Sequence, residues 1–134
     1  MSLCYLDASA LVKLATHEAE TMALEAHLAG FGARTTSRIA TVEVPRALAR
    51  KAPAERANAG LAWTEVVEGL VLIELDEAVA AAAADLAPAT LRSLDAIHLA
   101  TAKALGSELE AFITYDTRLA DAARANGLTV VAPA

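Results

Sequence analysis

The sequence predicts an α/β domain built on a mostly parallel sheet of about five short strands. The continuous apolar run at 3–6 lacks the alternation of a half-exposed strand, so it reads as a strand covered on both faces, and the runs at 70–73 and 111–115 are two further clear strands. Helical patterns fill the intervals between them, and strand–helix alternation is the signature of parallel βαβ units. Acids also stand where strand-like runs give way to helical ones. Asp7 follows the first run and Asp116 follows the run at 111–115, at the carboxyl ends where open α/β sheets gather ligands.

Composition narrows the class. At 134 residues the chain is expected to form a single domain, 1–134, large enough to bury a core. It is 56% hydrophobic but only 4% aromatic, so that core is built from Ala, Leu and Val. Net charge is −6, which argues against holding nucleic acid by a general basic surface and leaves room for a local basic rim. Cys4 is the single cysteine and cannot form an internal disulfide; it reads as a small core residue in a reducing cytoplasm. No apolar run approaches the roughly 20 residues of a membrane span. Asp7 falls where the apolar region of a signal peptide would lie, so a cytoplasmic protein is expected.

The elements follow in order. After the first strand, residues 9–16 read as a short helix offering Leu11, Val12 and Leu14 to the core. A second helix at 18–28 carries Met22, Leu24 and Leu28 as its apolar positions and stops at Gly30 and Gly32. Residues 34–36 form a short strand. Ser37 then offers an N-cap to a helix through Ile39, Val42, Glu43, Arg46, Leu48 and Arg50. Pro45 lies inside that helix and should bend it, because it cannot bond the carbonyl of Thr41. Glu43, Arg46 and Arg50 share one face, with Glu43 between Val42 and Val44 and therefore not simply solvated.

Pro53 and Ala54 open a helix to Glu68, with Leu61, Trp63, Val66 and Val67 as its apolar residues. Trp63 is read as a packing residue rather than a platform for stacking bases. Gly69 ends the helix before the strand at 70–73. Asp76 caps a helix at 79–86, whose alanine run is read as close packing, and Pro88 terminates it. Ser93 is the expected cap of the next helix, with Leu94, Ile97, Ala102 and Leu105 inward and Asp95 in its first turn. Glu108 and Glu110 read as solvated loop charges. Residues 117–125 form a helix stopped by Gly127, and 128–131 the last short strand.

Asp7 and Asp116 therefore share one edge of the sheet with Glu43 and Asp95, which lie in helices beginning there. Taken singly, each acid has a plainer role as a helix cap or a charge complementing the helix dipole. Crowded together without buried cations they are costly, and a hard divalent cation bound through oxygen removes that cost. Mg2+ or Mn2+ fits such donors, polarises phosphate and activates water. The residues thus point to metal-dependent phosphodiester hydrolysis. His98 lies one turn beyond Asp95 and is read as a satisfied structural histidine; His17 and His27 lie in polar, exposed positions.

Four segments together resemble the PIN domain, and within it the VapC-type toxins of bacterial toxin–antitoxin pairs. They are Leu6-Asp7-Ala8-Ser9-Ala10-Leu11-Val12-Lys13, Val42-Glu43-Val44-Pro45-Arg46-Ala47-Leu48, the segment 91–102 around Leu94-Asp95-Ala96-Ile97-His98-Leu99-Ala100, and Ile113-Thr114-Tyr115-Asp116-Thr117-Arg118-Leu119. The resemblance runs from the first strand nearly to the C-terminus. It implies a three-layer α/β/α, Rossmann-like PIN domain and a Mg2+- or Mn2+-dependent endoribonuclease. It also implies a homodimer held inactive by a cognate antitoxin. By the same resemblance Asp7, Glu43, Asp95 and Asp116 are the catalytic and metal-binding carboxylates, with Ser9 and Thr114 as hydroxyls near the metal shell. Asp121 is read as surface. Arg46, Arg50, Lys13, Arg92 and Arg118 are candidates for a basic rim toward RNA.

Three alternatives stand beside this reading. A phosphoaspartate phosphatase wants a second acid where Ser9 stands, and a phosphorylated receiver domain wants an early acidic pair and a late lysine that the chain lacks. A catalytically silent PIN-like scaffold that binds RNA or protein has no need to keep four acids crowded.

Overall fold

The structure is a computed structural model and describes residues 2–134. Five strands form one sheet in the order β3-β2-β1-β4-β5, with every neighbouring pair parallel. They are β1 (Leu3–Leu6), β2 (Ala33–Ser37), β3 (Leu70–Ile73), β4 (Leu109–Ile113) and β5 (Val130–Val131). The N-terminal strand is the central one. The chain builds outward from β1 to β3, then returns to lay β4 on the other side of β1. The reversal falls between β1 and β4, which makes their carboxyl ends the topological switch point.

Alternation along β1 divides the core. Cys4 and Leu6 face one side, packed with α1 (Ala8–Ala15), α2 (Thr21–Leu28), α3 (Ala40–Leu48) and α4 (Pro53–Glu68). Leu11, Leu24, Leu28, Val44 and Leu48 fill that layer, and Trp63 packs against it. Tyr5 and Phe112 face the other side, under Leu99 of α6 (Ser93–Lys103) and Leu119, Ala122 and Ala123 of α7 (Thr117–Ala125). Between β3 and α6 the chain forms α5 (Glu77–Ala84), capped by Asp76, whose carboxylate accepts from the Val79 N–H at 2.8 Å. The result is the expected three-layer α/β/α arrangement.

Several local expectations are corrected. Met22, Leu61 and Leu94 point outward, Met22 being 80% exposed. Leu24 and Leu28 suffice to seat α2, and one buried stripe leaves the remaining apolar positions in solvent. Ser37 ends β2 instead of capping α3, although its Oγ accepts the Ile39 N–H at 3.2 Å. The cap position of α6 is Arg92, with no side-chain cap bond, so Ser93 is the first helical residue. Val79 is the buried residue of α5; the helix lies closely on α6, as its alanine run suggested, while most of those alanines keep a face in solvent. Glu110 is exposed as expected but belongs to β4, which begins at Leu109 and ends at Ile113.

Two glycines test the backbone directly. Gly127 follows α7 with φ +84, while Gly60 lies inside α4; a Cβ at either would meet nothing within 4 Å. Their alanine substitutions therefore isolate conformational preference. Gly127→Ala should cost about 1–2 kcal/mol, because L-residues disfavour the left-handed region. Gly60→Ala should stabilise by about 0.5–1 kcal/mol through helix propensity. Urea denaturation should move the two midpoints in opposite directions.

Candidate functional site

Asp7 anchors the site. It follows β1 directly, its backbone N–H reaches the Ile113 carbonyl at 3.2 Å, and its side chain is the N-cap of α1. Oδ1 accepts from the Ala10 N–H at 3.0 Å and the Ser9 hydroxyl at 2.7 Å, while Oδ2 accepts from the Thr114 hydroxyl at 2.6 Å. Both hydroxyls in turn accept backbone donors of the β4–α7 connection. Ser9 Oγ takes the Tyr115 N–H at 2.9 Å and Thr114 Oγ1 takes the Asp116 N–H at 3.1 Å. Asp7 is 3% exposed. Desolvation pushes its pKa up, and the bonds from Thr114, Ser9 and the Ala10 amide pull against that rise.

Asp116 caps α7, accepting from the Arg118 N–H at 2.9 Å and the Leu119 N–H at 3.2 Å. Asp95 is half-buried in the first turn of α6. Its carboxyl is held above the usual range by burial first, then by the negative charge of Asp116, with smaller contributions from Asp7 and Glu43 and opposition from His98. All four carboxylates thus act in one electrostatic environment. Glu43 comes from α3 on the opposite face, and its Oε1 meets His98 Nε2 at 2.6 Å. His98 is 1% exposed and its Nδ1 lies 2.7 Å from the Tyr5 hydroxyl.

A cleft of about 570 Å3 opens beside Asp95 and Asp116, with Arg92, Arg118 and Asp121 on its walls. Arg92 and Arg118 therefore stand where a basic rim was expected. Lys13 does not: it is paired to Glu18 at 3.2 Å and Glu20 at 3.1 Å and lies 4.8 Å from the Tyr115 ring centre, as a strut between α1 and the β4–α7 connection. Asp121 is exposed, as read, and pairs with Arg124 at 3.5 Å. His17 is exposed, whereas His27 is half-buried against Phe31 with its Nε2 unpartnered. Burial pushes the Cys4 thiol up to about 11, which makes it an inert core group.

The donors fit a hard divalent cation by chemistry: four carboxylates, two hydroxyls, and one imidazole already engaged. Among the described residues no three of them are gathered in ligating geometry around one point. Asp7, Glu43 and Asp116 are each turned to protein partners, which accounts for that spread. Mg2+ is commonly held by one or two carboxylates while it keeps several waters, so this donor set suits it better than a closed protein cage would.

Fold and site define an α/β/α domain with an acidic centre at the carboxyl edge of a parallel sheet, at the strand-order reversal. The PIN domain family model matches residues 4–125, and the chain belongs to that family. It is 44% identical over 133 residues to ribonuclease VapC46 of Mycobacterium tuberculosis, covering 99% of both chains. Ribonuclease VapC47 of the same species is 39% identical over 138 residues, covering 98% of this chain and 97% of the relative. Among solved structures, VapBC2 from Rickettsia felis bound to promoter DNA shares the fold with a TM-score of 0.74 at 12% identity, covering 98% and 99% of the two chains. VapC20 of M. tuberculosis, a sarcin-ricin loop cleaving toxin, gives 0.72 at 15% identity, covering 97% and 99%.

The raised carboxyl of Asp95 has a thermodynamic sign. A folded-state pKa above the unfolded one means the native state binds the proton more tightly. Stability then falls as pH rises from the unfolded value through the folded one, and the ionised group opposes folding at neutral pH. Without metal, Asp95→Asn should melt higher than wild type near neutral pH and lose part of the decline in stability above about pH 4. Thermal melts in chelator across that range check it. A lower melting point in the variant would mark Asp95 as a helix-start charge contributing about 0.3–1 kcal/mol.

Proposed function

We propose that this chain is the ribonuclease toxin of a toxin–antitoxin pair, a Mg2+- or Mn2+-dependent endoribonuclease that hydrolyses RNA phosphodiester bonds in the cytoplasm. Asp7, Glu43, Asp95 and Asp116 are its catalytic and metal-binding carboxylates. The observation that carries the reading is that Asp116, Asp7 and Glu43 all lie close enough to push up the Asp95 carboxyl beside the β1–β4 switch point. The chain's 44% identity to a VapC ribonuclease along its whole length supports the same reading.

Bound divalent metal would polarise a phosphate and lower the pKa of a coordinated water. The chain's own contributions are positional. Ser9 and Thr114 fix Asp7 by donating to both of its oxygens, so that carboxylate is oriented before any substrate arrives. Asp95, held above the usual carboxylate range by burial and by the charge of Asp116, would be stabilised in its ionised form by a cation. Arg92 and Arg118 offer charge-assisted hydrogen bonds to phosphates of an RNA lying in the cleft.

Purified protein should cut RNA with Mg2+ or Mn2+ and stop in chelator. Asp7→Asn should lower the rate by about a hundredfold or more, the scale on which removing one preorganised electrostatic group acts. Arg92→Ala and Arg118→Ala should weaken RNA binding and flatten its salt dependence, by a log–log slope of about 0.7 per lost phosphate contact. Gel assays and binding titrations measure these effects. Full cleavage in chelator rejects the metal dependence, and no cleavage with any RNA and metal favours a silent scaffold.

The exposed alanines of α5 offer a small-residue surface that permits close helix–helix approach, which supports self-association as a homodimer. A cognate antitoxin should present a basic side chain to the acidic centre, whose carboxylates would accept charge-assisted hydrogen bonds from it. Light scattering at micromolar concentration should report a dimer alone, and a larger complex once the antitoxin is added. A monomer throughout rejects the dimer.

A further inference from the structure

Three residues distant in sequence form a buried line across the molecule. Tyr5 of β1, His98 of α6 and Glu43 of α3 are linked by contacts of 2.7 Å and 2.6 Å, spanning 93 and 55 residues. Tyr5 is fully buried and its ring is stacked on Phe112 at 5.3 Å with an interplanar angle of 3°, so the phenol has little freedom. It also meets the imidazole edge-on, with ring centres 5.8 Å apart.

Hydrogen-bonding capacity fixes the protons along this line. An ionised Glu43 carboxylate only accepts, so His98 Nε2 must carry the hydrogen that points at Oε1. A neutral ring is then bare at Nδ1, which must accept, and the Tyr5 O–H is the donor it meets. Each link dictates the next, and the line ends with one Glu43 oxygen held.

We propose that Tyr5 and His98 are positioning residues for Glu43: the phenol, donating to Nδ1, holds the imidazole ring in place, and the Nε2–H of that ring holds the carboxylate where it would serve the metal. The inference rests on Glu43 being a metal ligand, as proposed above. The other tautomer would turn a lone pair toward the carboxylate and repel it, so the Nε2–H is what holds Oε1. Partners that orient metal ligands in this way typically carry about 10–100-fold in metal affinity.

Tyr5→Phe is the sharpest variant, since it keeps the ring packing and removes only the hydroxyl; His98→Gln removes the link to Tyr5 and assigns the His98 signals. Ring 15N spectra of histidine-labelled protein read the tautomer. Wild type should show His98 with Nε2–H and a hydrogen-bonded bare Nδ1, and Tyr5→Phe the same tautomer with the Nδ1 signal moved to that of an unbonded nitrogen. Free Mn2+ counted by electron paramagnetic resonance reads affinity without activity. Tyr5→Phe should bind Mn2+ about three- to tenfold more weakly, and His98→Gln about tenfold or more. In a Glu43→Gln background Tyr5→Phe should cost nothing further, because its effect passes through that carboxylate. Wild type without Mn2+ binding, or a Glu43→Gln variant as tight as wild type, overturns the reading of the site and this inference with it. Wild-type binding that Glu43→Gln weakens but Tyr5→Phe leaves intact overturns the positioning line alone. Additive losses in the double variant, a His98 ring protonated at Nδ1, or one protonated at both nitrogens do the same.

Discussion

The buried carboxylate of Asp7 is the constraint on which the rest of the site depends. An ionised group at 3% exposure is costly unless each oxygen is satisfied. The chain meets that cost locally, through the start of α1 and Ser9, and at long range through Thr114, 107 residues away. The two hydroxyls spend their protons on Asp7, so their own mutual contact at 3.3 Å has no hydrogen left to share and neither can turn away cheaply. By also accepting the Tyr115 and Asp116 amides they bring the turn before α7 against the start of α1. One charge thus sets the separation of two loops and, through them, where Asp116 stands.

The second organising feature is the division of the sheet into two faces. Cys4 and Leu6 look one way and Tyr5 the other, so the residue beneath the acids carries a polar tip into the layer of α6 and α7. That tip is matched by His98, and His98 by Glu43 from the opposite layer. Buried polar groups in such a line are costly when left half-satisfied and specific when complete. Here the completion ties two helical layers together at the one place where the centre needs both.

Much of this was legible in the sequence, for identifiable reasons. Leu3–Leu6 was readable as a strand because burial on both faces leaves no polar interruptions, and Leu70–Ile73 because its run is apolar throughout, although at the edge of the sheet it leaves Val71 exposed. The helices Pro53–Glu68 and Thr117–Ala125 carry their punctuation in Pro53, Gly69, Asp116 and Gly127. The acids were conspicuous because strand ends and helix starts are positions that pattern marks. What pattern does not mark is which apolar residues a helix leaves outside, hence Met22, Leu61 and Leu94. It also misses pairings across many residues. Tyr5 looked like any strand aromatic, and its bond to His98 exists only once α6 lies over β1. The one signal that could have found it is a phenol in a fully apolar strand, which needs a hidden acceptor. Lys13 was misread for the same reason, since its acids and the Tyr115 ring meet it only through the fold.

The central position of the first strand has a consequence for how the molecule comes into being on a ribosome. β1, β2 and β3 with α1 to α4 emerge first and already share one packed layer, so this half can begin to condense while synthesis continues. β1 nevertheless keeps one open edge until β4 is made, and Asp7 waits for Thr114 from the same late segment. Such long-range parallel pairing is slow, because the loop must close before any contact rewards it. The acidic centre therefore stays incomplete through most of translation, with no Asp116 and no clamp on Asp7. A nascent chain released early would carry half a sheet and half a site. A molecule built in this order cannot act on RNA near the ribosome before its own synthesis is almost finished.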